Sequence, residues 1–117
     1  MSHTAAMIVT MPRHFALRAP MELSREQKKH LVSLAHSRKP VVRVGQKGVS
    51  ENVVKELDGA LTAHELVKVK ISIGDRDERA TIIDAFAREC DCECVQAIGQ
   101  TASFFRRNPK RPVIILP

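Results

Sequence analysis

The sequence predicts a compact α/β sandwich in which helices cover a mixed sheet, in the order helix, strand, helix, strand, helix, strand, strand. Apolar residues recur at helical spacing in three segments, and they alternate or run together in four short ones. The connections between these segments are short, so neighbouring elements must pack on one another. A chain of 117 residues can bury one hydrophobic core, so a single domain is expected.

The first predicted helix begins at Ser24 and runs to about His36. Its start is marked by Ser24 and Gln27, which can form a capping box because each side chain reaches the other's backbone N–H. Pro40 separates this helix from the next element, since the residue before a proline avoids the helical region. The apolar run from Val41 to Val44 then predicts a short buried strand.

The middle of the chain predicts a helix followed by a half-exposed strand. Ser50 is a good N-cap for a helix that runs to about His64. From Leu66 to Ile73 apolar and polar residues alternate, which is typical of a strand with one buried face. Its exposed face would carry Lys68 and Lys70.

The last predicted elements are a third helix and a β-hairpin. The helix is expected to begin after Asp75 or Asp77, either of which can cap it, and to run to about Glu89. Two short strands, Cys94 to Ile98 and Ala102 to Arg106, flank a glycine-containing turn suited to a hairpin.

The chain carries 19 Lys and Arg residues against 13 Asp and Glu residues, a net charge of +6. Such an excess favours polyanionic partners. No apolar run approaches the roughly 20 residues that a membrane-spanning helix needs, so a soluble protein is expected. The three cysteines crowd into residues 90–94, unlike the spaced cysteines of a secreted disulfide framework, which favours a reducing cytoplasm.

The sequence divides into a leader (residues 1–20), a domain (21–107) and an extension (108–117). The leader lacks acids and periodicity and is expected to be disordered; an organellar transit peptide would look similar. Met21 stands just before the first helix signal and is an alternative native start. In the extension, the apolar run from Val113 to Leu116 is expected to add an extended segment to a sheet edge.

A GxxG motif, Gly45, Gln46, Lys47 and Gly48, lies between the first strand and the second helix; we call it the glycine loop. Glycines let a phosphate approach the backbone closely, and the amides at the following helix start favour an anion. Lys47 adds a full positive charge. KH domains clamp the RNA backbone with such a loop. A plain tight turn is the alternative interpretation.

Further basic residues surround this loop in the sequence and could form one RNA-binding surface with it, although a run of charge is often only a solvated face. Each phosphate contact would steepen the salt dependence of binding. Besides the glycine loop, the candidate RNA-contacting residues are Lys28, Lys29, Arg38, Lys39, Arg43, Lys68, Lys70 and Arg106.

Other chemistry is poorly supported. Aromatic residues are few, and of Phe104 and Phe105, neighbours on one strand, one is expected in the core and the other could contact a base. Three cysteines at residues 90, 92 and 94 lack the spacing and the fourth ligand of a structural zinc site, so no metal or cofactor is predicted. No nucleophile, base and orienting partner can be assembled, which predicts a protein that is not an enzyme.

Several separated blocks resemble the chloroplast RNA splicing and ribosome maturation (CRM) domain, and in particular the stand-alone bacterial YhbY-like proteins. The resemblance covers Leu23 to Arg107. The blocks are Leu23-Ser24 ahead of a basic helix, Lys39-Pro40-Val41-Val42-Arg43-Val44-Gly45-Gln46-Lys47-Gly48-Val49, Ala63-His64-Glu65-Leu66-Val67-Lys68-Val69-Lys70 and Val95-Gln96-Ala97-Ile98-Gly99.

This resemblance implies a fold like the C-terminal domain of translation initiation factor three, RNA binding through the glycine loop, and association with precursors of the large ribosomal subunit. Plant relatives with several copies act in intron splicing, and the single copy here favours ribosome assembly. Lys68 and Lys70 match a basic strand of the family. Rival hypotheses are a factor for introns or other RNA, a nucleotide-phosphate enzyme, which lacks the fuller Walker pattern, and a basic module that binds an acidic protein.

Overall fold

The computed structural model describes residues 22–117. Its elements follow the predicted order: α1 (Arg25–His36), β1 (Val42–Val44), α2 (Glu51–His64), β2 (Leu66–Ile71), α3 (Arg76–Glu89), β3 (Glu93–Ile98) and β4 (Thr101–Phe105). The predicted leader, the transit-peptide alternative and the alternative start at Met21 lie outside these residues. Within them, no helix is long and apolar enough to cross a membrane.

The helix starts are those that the sequence signals predict. Ser24 and Gln27 form the capping box of α1, with both reciprocal hydrogen bonds at 3.0 Å. The Ser50 hydroxyl accepts a hydrogen bond from the backbone of α2. Of the two aspartates considered for α3, Asp75 is the N-cap, and it forms a second capping box with Glu78. Each cap satisfies backbone N–H groups that a first helical turn would leave unpaired.

The sheet is mixed, as predicted, with the strand order β1-β2-β4-β3. β1 runs parallel to β2, whereas β2 and β3 each run antiparallel to β4. β2 ends at Ile71, two residues before the predicted end, because the chain turns through Gly74 (φ 78°) to begin α3. The carboxyl ends of β1 and β2 therefore lie at the same edge, and each leads through a loop into a helix.

Both faces of the sheet bury a hydrophobic core. On one face, α2 and α3 pack over residues of all four strands, with Leu57, Leu61 and Phe86 fully buried. On the other face, α1 contributes Leu31 and Ala35 to a smaller core. The smaller core covers only one end of its face, so the rest of that face stays partly open.

Phe104 and Phe105 lie on opposite faces of β4, but neither is available to a nucleobase. Phe104 packs in the larger core, where its ring meets that of Phe86 edge-on at 5.9 Å. Phe105 is equally buried, in the smaller core beneath α1. The expectation of one solvent-facing ring was wrong because α1 and the C-terminal extension cover that side of the strand.

The C-terminal extension does not add to a sheet edge, contrary to the expectation. Instead, Ile114 inserts into the smaller core beside Leu31 and Phe105. The backbone N–H groups of Val113 and Ile114 donate to the carboxylate of Glu65, which satisfies them without a neighbouring strand. The extension is thus part of the packed domain.

Candidate functional site

The glycine loop is a tight turn between β1 and α2. The Gly48 N–H donates to the Gly45 carbonyl at 2.9 Å and closes the turn, and the Ser50 N–H donates back to Gly48 at 3.0 Å. Gly48 has φ 66°, a left-handed conformation that glycine adopts without a steric penalty. The turn therefore directs the two intervening residues away from the body of the domain.

These two residues, Gln46 and Lys47, present unused hydrogen-bond donors. Both are exposed, and within residues 22–117 neither backbone N–H makes a hydrogen bond. A Cβ built on Gly45 would meet no atom within 4 Å, and Gly45 has an ordinary φ. The fold itself therefore does not require glycine at 45, and the open space leaves the backbone accessible to an anion.

Arg43 and Lys70 lie side by side next to this loop. They are register partners on β1 and β2, so their side chains share one face of the sheet. Like charges in directly opposed strand positions destabilise a sheet. Neither side chain has an acidic partner among the described residues. Repulsion between the two side chains therefore lowers the stability of the fold, and a bound anion could offset this loss.

The line of positive charge continues along this face toward the end of α1. The Lys68 ammonium donates to the Arg38 carbonyl at 3.2 Å, and one Arg38 nitrogen donates to the Leu66 carbonyl at 2.8 Å. These bonds use only part of each cation's donor capacity. Lys39 follows and is exposed. The predicted residues 38, 39, 43, 47, 68 and 70 are thus brought together around β1, β2 and the glycine loop.

The two α1 lysines are less closely tied to this surface. The Lys28 ammonium lies 3.4 Å from the carboxylate of Glu93, at the start of the distant edge strand β3. Lys29 is exposed on α1, and no hydrogen bond or ion pair links it to β1 or β2 within the described residues. Lys28 is therefore partly neutralised, and Lys29 remains a candidate for a peripheral contact.

Arg106 was predicted to contact RNA, and that prediction was wrong. Its side chain is buried, and the residue is only 9% exposed. The guanidinium donates to the Asp58 carboxylate and the Cys90 carbonyl, each at 2.7 Å, and to the Asp58 carbonyl and the Thr62 hydroxyl, each at 2.9 Å. Its charge and donors are used inside the protein, where they join α2, β4 and the end of α3.

Sequence reasoning missed a groove of about 610 Å³ beside the glycine loop. It lies between the loop and α3, at the edge where β1 and β2 end. Its walls come from segments some thirty residues apart, so no local pattern reveals it. The lining residues are Gln46, Ile73, Gly74, Glu78, Thr81 and Ile82.

The cysteine cluster lies at the junction of α3 and β3. Burial raises the pKa of the Cys90 thiol to about 12, with the charge of Asp58 adding to the effect. Burial also raises the pKa of Cys92 and of Cys94. Among the described residues, no group of three or more His, Cys, Asp or Glu side chains is placed to hold a metal ion. The thiols are protonated and largely enclosed, which suits packing.

Comparison with known proteins adds independent evidence. Residues 23–106 match the model of the CRS1/YhbY (CRM) domain. A probable RNA-binding protein of Pseudomonas aeruginosa is 42% identical over 90 residues, which span 77% of this chain and 86% of the relative. An RNA-binding protein of Haemophilus influenzae is 43% identical over 84 residues, 72% of this chain and 85% of the relative.

A solved structure shares the fold. The solution structure of a hypothetical protein from Staphylococcus aureus superimposes with a TM-score of 0.72 at 31% sequence identity. The match covers 82% of this chain and 100% of that protein. The arrangement of three helices and a mixed four-stranded sheet is therefore shared with a natural protein that consists of little else.

Proposed function

The chain belongs to the CRS1/YhbY (CRM) domain family, and from this membership we propose that it binds RNA by gripping the sugar-phosphate backbone with the glycine loop. One observation carries the proposal. The loop offers the unused N–H groups of Gln46 and Lys47 next to the like-charged pair Arg43 and Lys70. Amides and cations that lack partners inside the fold are the groups that a phosphate needs.

The binding mechanism rests on this arrangement. One phosphate would accept hydrogen bonds from the loop amides and form an ion pair with Lys47. It would lie near the N-terminal end of α2, where the helix dipole favours an anion. A neighbouring phosphate along the strand would reach Arg43 and Lys70. Such contacts fix the position of the RNA and carry little sequence information. The protein would act by binding, without catalysing a reaction.

Ribosomal RNA in precursors of the large subunit is the proposed target, and assistance in ribosome assembly the proposed role. The resemblance to YhbY-like proteins implies this target. The two bacterial relatives consist of little more than this domain, since the match covers 86% and 85% of their lengths. In this single-domain organisation the relatives are more similar to the stand-alone assembly proteins than to the plant splicing factors, which carry several copies of the domain. With this role we propose a cytoplasmic location.

The test is sedimentation of the tagged protein from its own cell lysate through a sucrose gradient, at low and high salt, with and without ribonuclease. We expect comigration with free large subunits or their precursors that ribonuclease and high salt both abolish. Lys47→Ala should shift the protein toward the top of the gradient. Lys110→Ala removes an exposed lysine far along the chain and should not.

Other outcomes separate the rival functions. A protein that stays at the top of the gradient but still binds RNA in vitro would point to introns or other RNAs. Comigration that resists both ribonuclease and salt would favour binding to an acidic protein. Weak binding to every RNA, unchanged by Lys47→Ala, would contradict the backbone clamp itself.

A further inference from the structure

The groove between the glycine loop and α3 carries a negative charge. Glu78 lines it, and its Oε1 is fixed by a hydrogen bond from the Asp75 N–H at 3.0 Å. Gly74 allows this placement, because a Cβ there would lie 2.8 Å from the Cβ of Glu78. The second carboxylate oxygen, Oε2, has no hydrogen bond within residues 22–117. A phosphate would be repelled here, whereas an N–H donor would be bound.

Apolar walls accompany this acceptor. Ile73 and Ile82 line the groove, and both are half-buried against the larger core, which holds them in place. The Thr81 hydroxyl donates to the Asp77 carbonyl, so its hydrogen is already used. A flat, mostly apolar group with an amino edge matches such a surface. The volume lies within the range of small-ligand clefts, roughly 300–1,000 Å³.

Gln46 connects the groove to the backbone clamp. Its backbone N–H belongs to the glycine loop, and the residue is exposed and lines the groove. A nucleotide whose phosphate sits on the loop would therefore have its base within reach of the groove. The amide of Gln46 offers one donor group and one acceptor to the edge of that base.

We propose that this groove receives one unpaired nucleobase with an exocyclic amino group, from the RNA strand that the glycine loop grips. The inference rests on the proposed function and extends it to the class of RNA. Adenine, cytosine and guanine each carry an amino group that can donate to Glu78. Uracil has no amino group, and its one donor on that edge, N3–H, lies between two carbonyl oxygens that the carboxylate repels. The protein therefore binds strands with unpaired bases and discriminates against uracil at one position.

The experiment compares single-stranded oligouridine of about twelve nucleotides with versions that carry one central adenosine, cytidine or guanosine. A single strand can slide, so the substituted base can reach the groove wherever the clamp first lands. One charge-assisted hydrogen bond should make the substituted register bind about tenfold more tightly than a uridine register. Because a sliding strand offers about twelve registers, each substituted strand should bind about twofold more tightly overall than oligouridine. Fluorescence anisotropy at low salt measures the four affinities.

Glu78→Gln tests the groove directly. A glutamine oxygen can still accept from the Asp75 N–H, so the α3 cap is kept while the charge is lost. This variant should abolish the preference over oligouridine or turn it toward uracil. Asp77→Asn, which removes the same charge from an exposed neighbour outside the groove lining, should leave the preference intact.

Each alternative result has a distinct meaning. Equal binding of all four strands, or a preference that Glu78→Gln does not change, would overturn the groove site. If Lys47→Ala still weakened binding of every strand in that case, the backbone clamp would survive. Failure of the wild-type protein to bind any of the four strands at low salt would overturn the clamp and the groove together.

Discussion

The carboxylate of Glu65 accepts a hydrogen bond from the backbone N–H of Ile114 at 2.8 Å, across 49 positions of the chain. The same oxygen accepts from Val113 at 2.8 Å, and the other accepts from Asn108 at 2.6 Å. Glu65 itself is fully buried at the C-terminal end of α2. One side chain thus fastens the C-terminal extension over the smaller core.

This contact makes stability sensitive to acid. Burial alone would raise the pKa of Glu65, but the N–H groups of Asn108, Ile114 and Val113 and the charge of Arg107 outweigh it, so the pKa lies below its ordinary value of 4.5. The unfolded chain then binds the proton more readily. The stabilisation is therefore complete well above pH 4.5 and is lost as pH falls through the lowered pKa.

Glu65→Gln measures this contribution by urea unfolding at several pH values. At neutral pH we expect the free energy of unfolding to fall by about 3 kcal/mol. Both carboxylate oxygens of Glu65 accept hydrogen bonds, whereas the amide of glutamine has only one acceptor oxygen. The loss should shrink as pH falls through the lowered pKa of Glu65, where the wild-type carboxylate becomes protonated as well. Glu56→Gln alters an exposed glutamate of α2 and should change the free energy of unfolding little at either neutral or acid pH. A loss that stays constant down to acid pH would contradict the lowered pKa.

Arg106 should matter for stability and not for RNA binding. Arg106→Ala removes four hydrogen bonds and leaves the Cys90 carbonyl without its buried donor. We expect a loss of about 3 kcal/mol in the free energy of unfolding. The salt dependence of RNA binding by the folded fraction should be unchanged. A shallower salt slope for this variant would restore Arg106 as a phosphate contact.

The sequence contained a sign of this role. Alternation along β4 puts Arg106 on the same side as Phe104, toward α2 and α3, and not on the face that carries Lys68 and Lys70. What the sequence does not display is the partner, since Asp58 and Thr62 lie more than forty residues away. A basic residue in a sequence can form a buried ion pair or contact a ligand, and only the packing of α2 against the strand distinguishes these two roles.

The elements themselves were predictable because their signals are local. Caps at Ser24, Ser50 and Asp75 depend on side chains within one helical turn. The glycine loop was likewise found from four adjacent residues. The groove and the covered side of Phe105 depend on which elements the fold brings together, and no local pattern encodes that.

The cysteines should resist alkylation in the native protein. Cys90 is buried, and its pKa of about 12 leaves almost no thiolate at pH 8. Burial raises the pKa of Cys92 and Cys94 in the same direction. Mass spectrometry after iodoacetamide treatment should show little modification without urea and three modified thiols in urea. Rapid alkylation of the native protein would contradict the enclosed cluster.

The two glycines of the loop should respond differently to alanine. Gly45 has an ordinary φ and open space around it, so Gly45→Ala should leave stability unchanged or raise it by about 0.5 kcal/mol. Gly48→Ala should cost about 1 kcal/mol, because φ is 66° there. If a phosphate approaches the backbone at Gly45, Gly45→Ala weakens RNA binding despite its stability. Full RNA affinity in Gly45→Ala would contradict that close approach.

Whereas Glu65 stabilises the fold, the neighbouring positive charges of Arg43 and Lys70 should destabilise it and strengthen RNA binding. Lys70→Gln relieves repulsion between register partners, so we expect the free energy of unfolding to rise by about 0.5 kcal/mol. The same change should weaken RNA binding and reduce the salt slope by about one unit, as should Lys47→Ala. Lys55→Gln, on an exposed part of α2, is the matched control. If Lys70→Gln is more stable but binds RNA less well, the pair of positive charges contributes to RNA binding at the expense of stability. If the variant is less stable and the salt dependence of RNA binding is unchanged, Lys70 stabilises the fold and does not contact a phosphate.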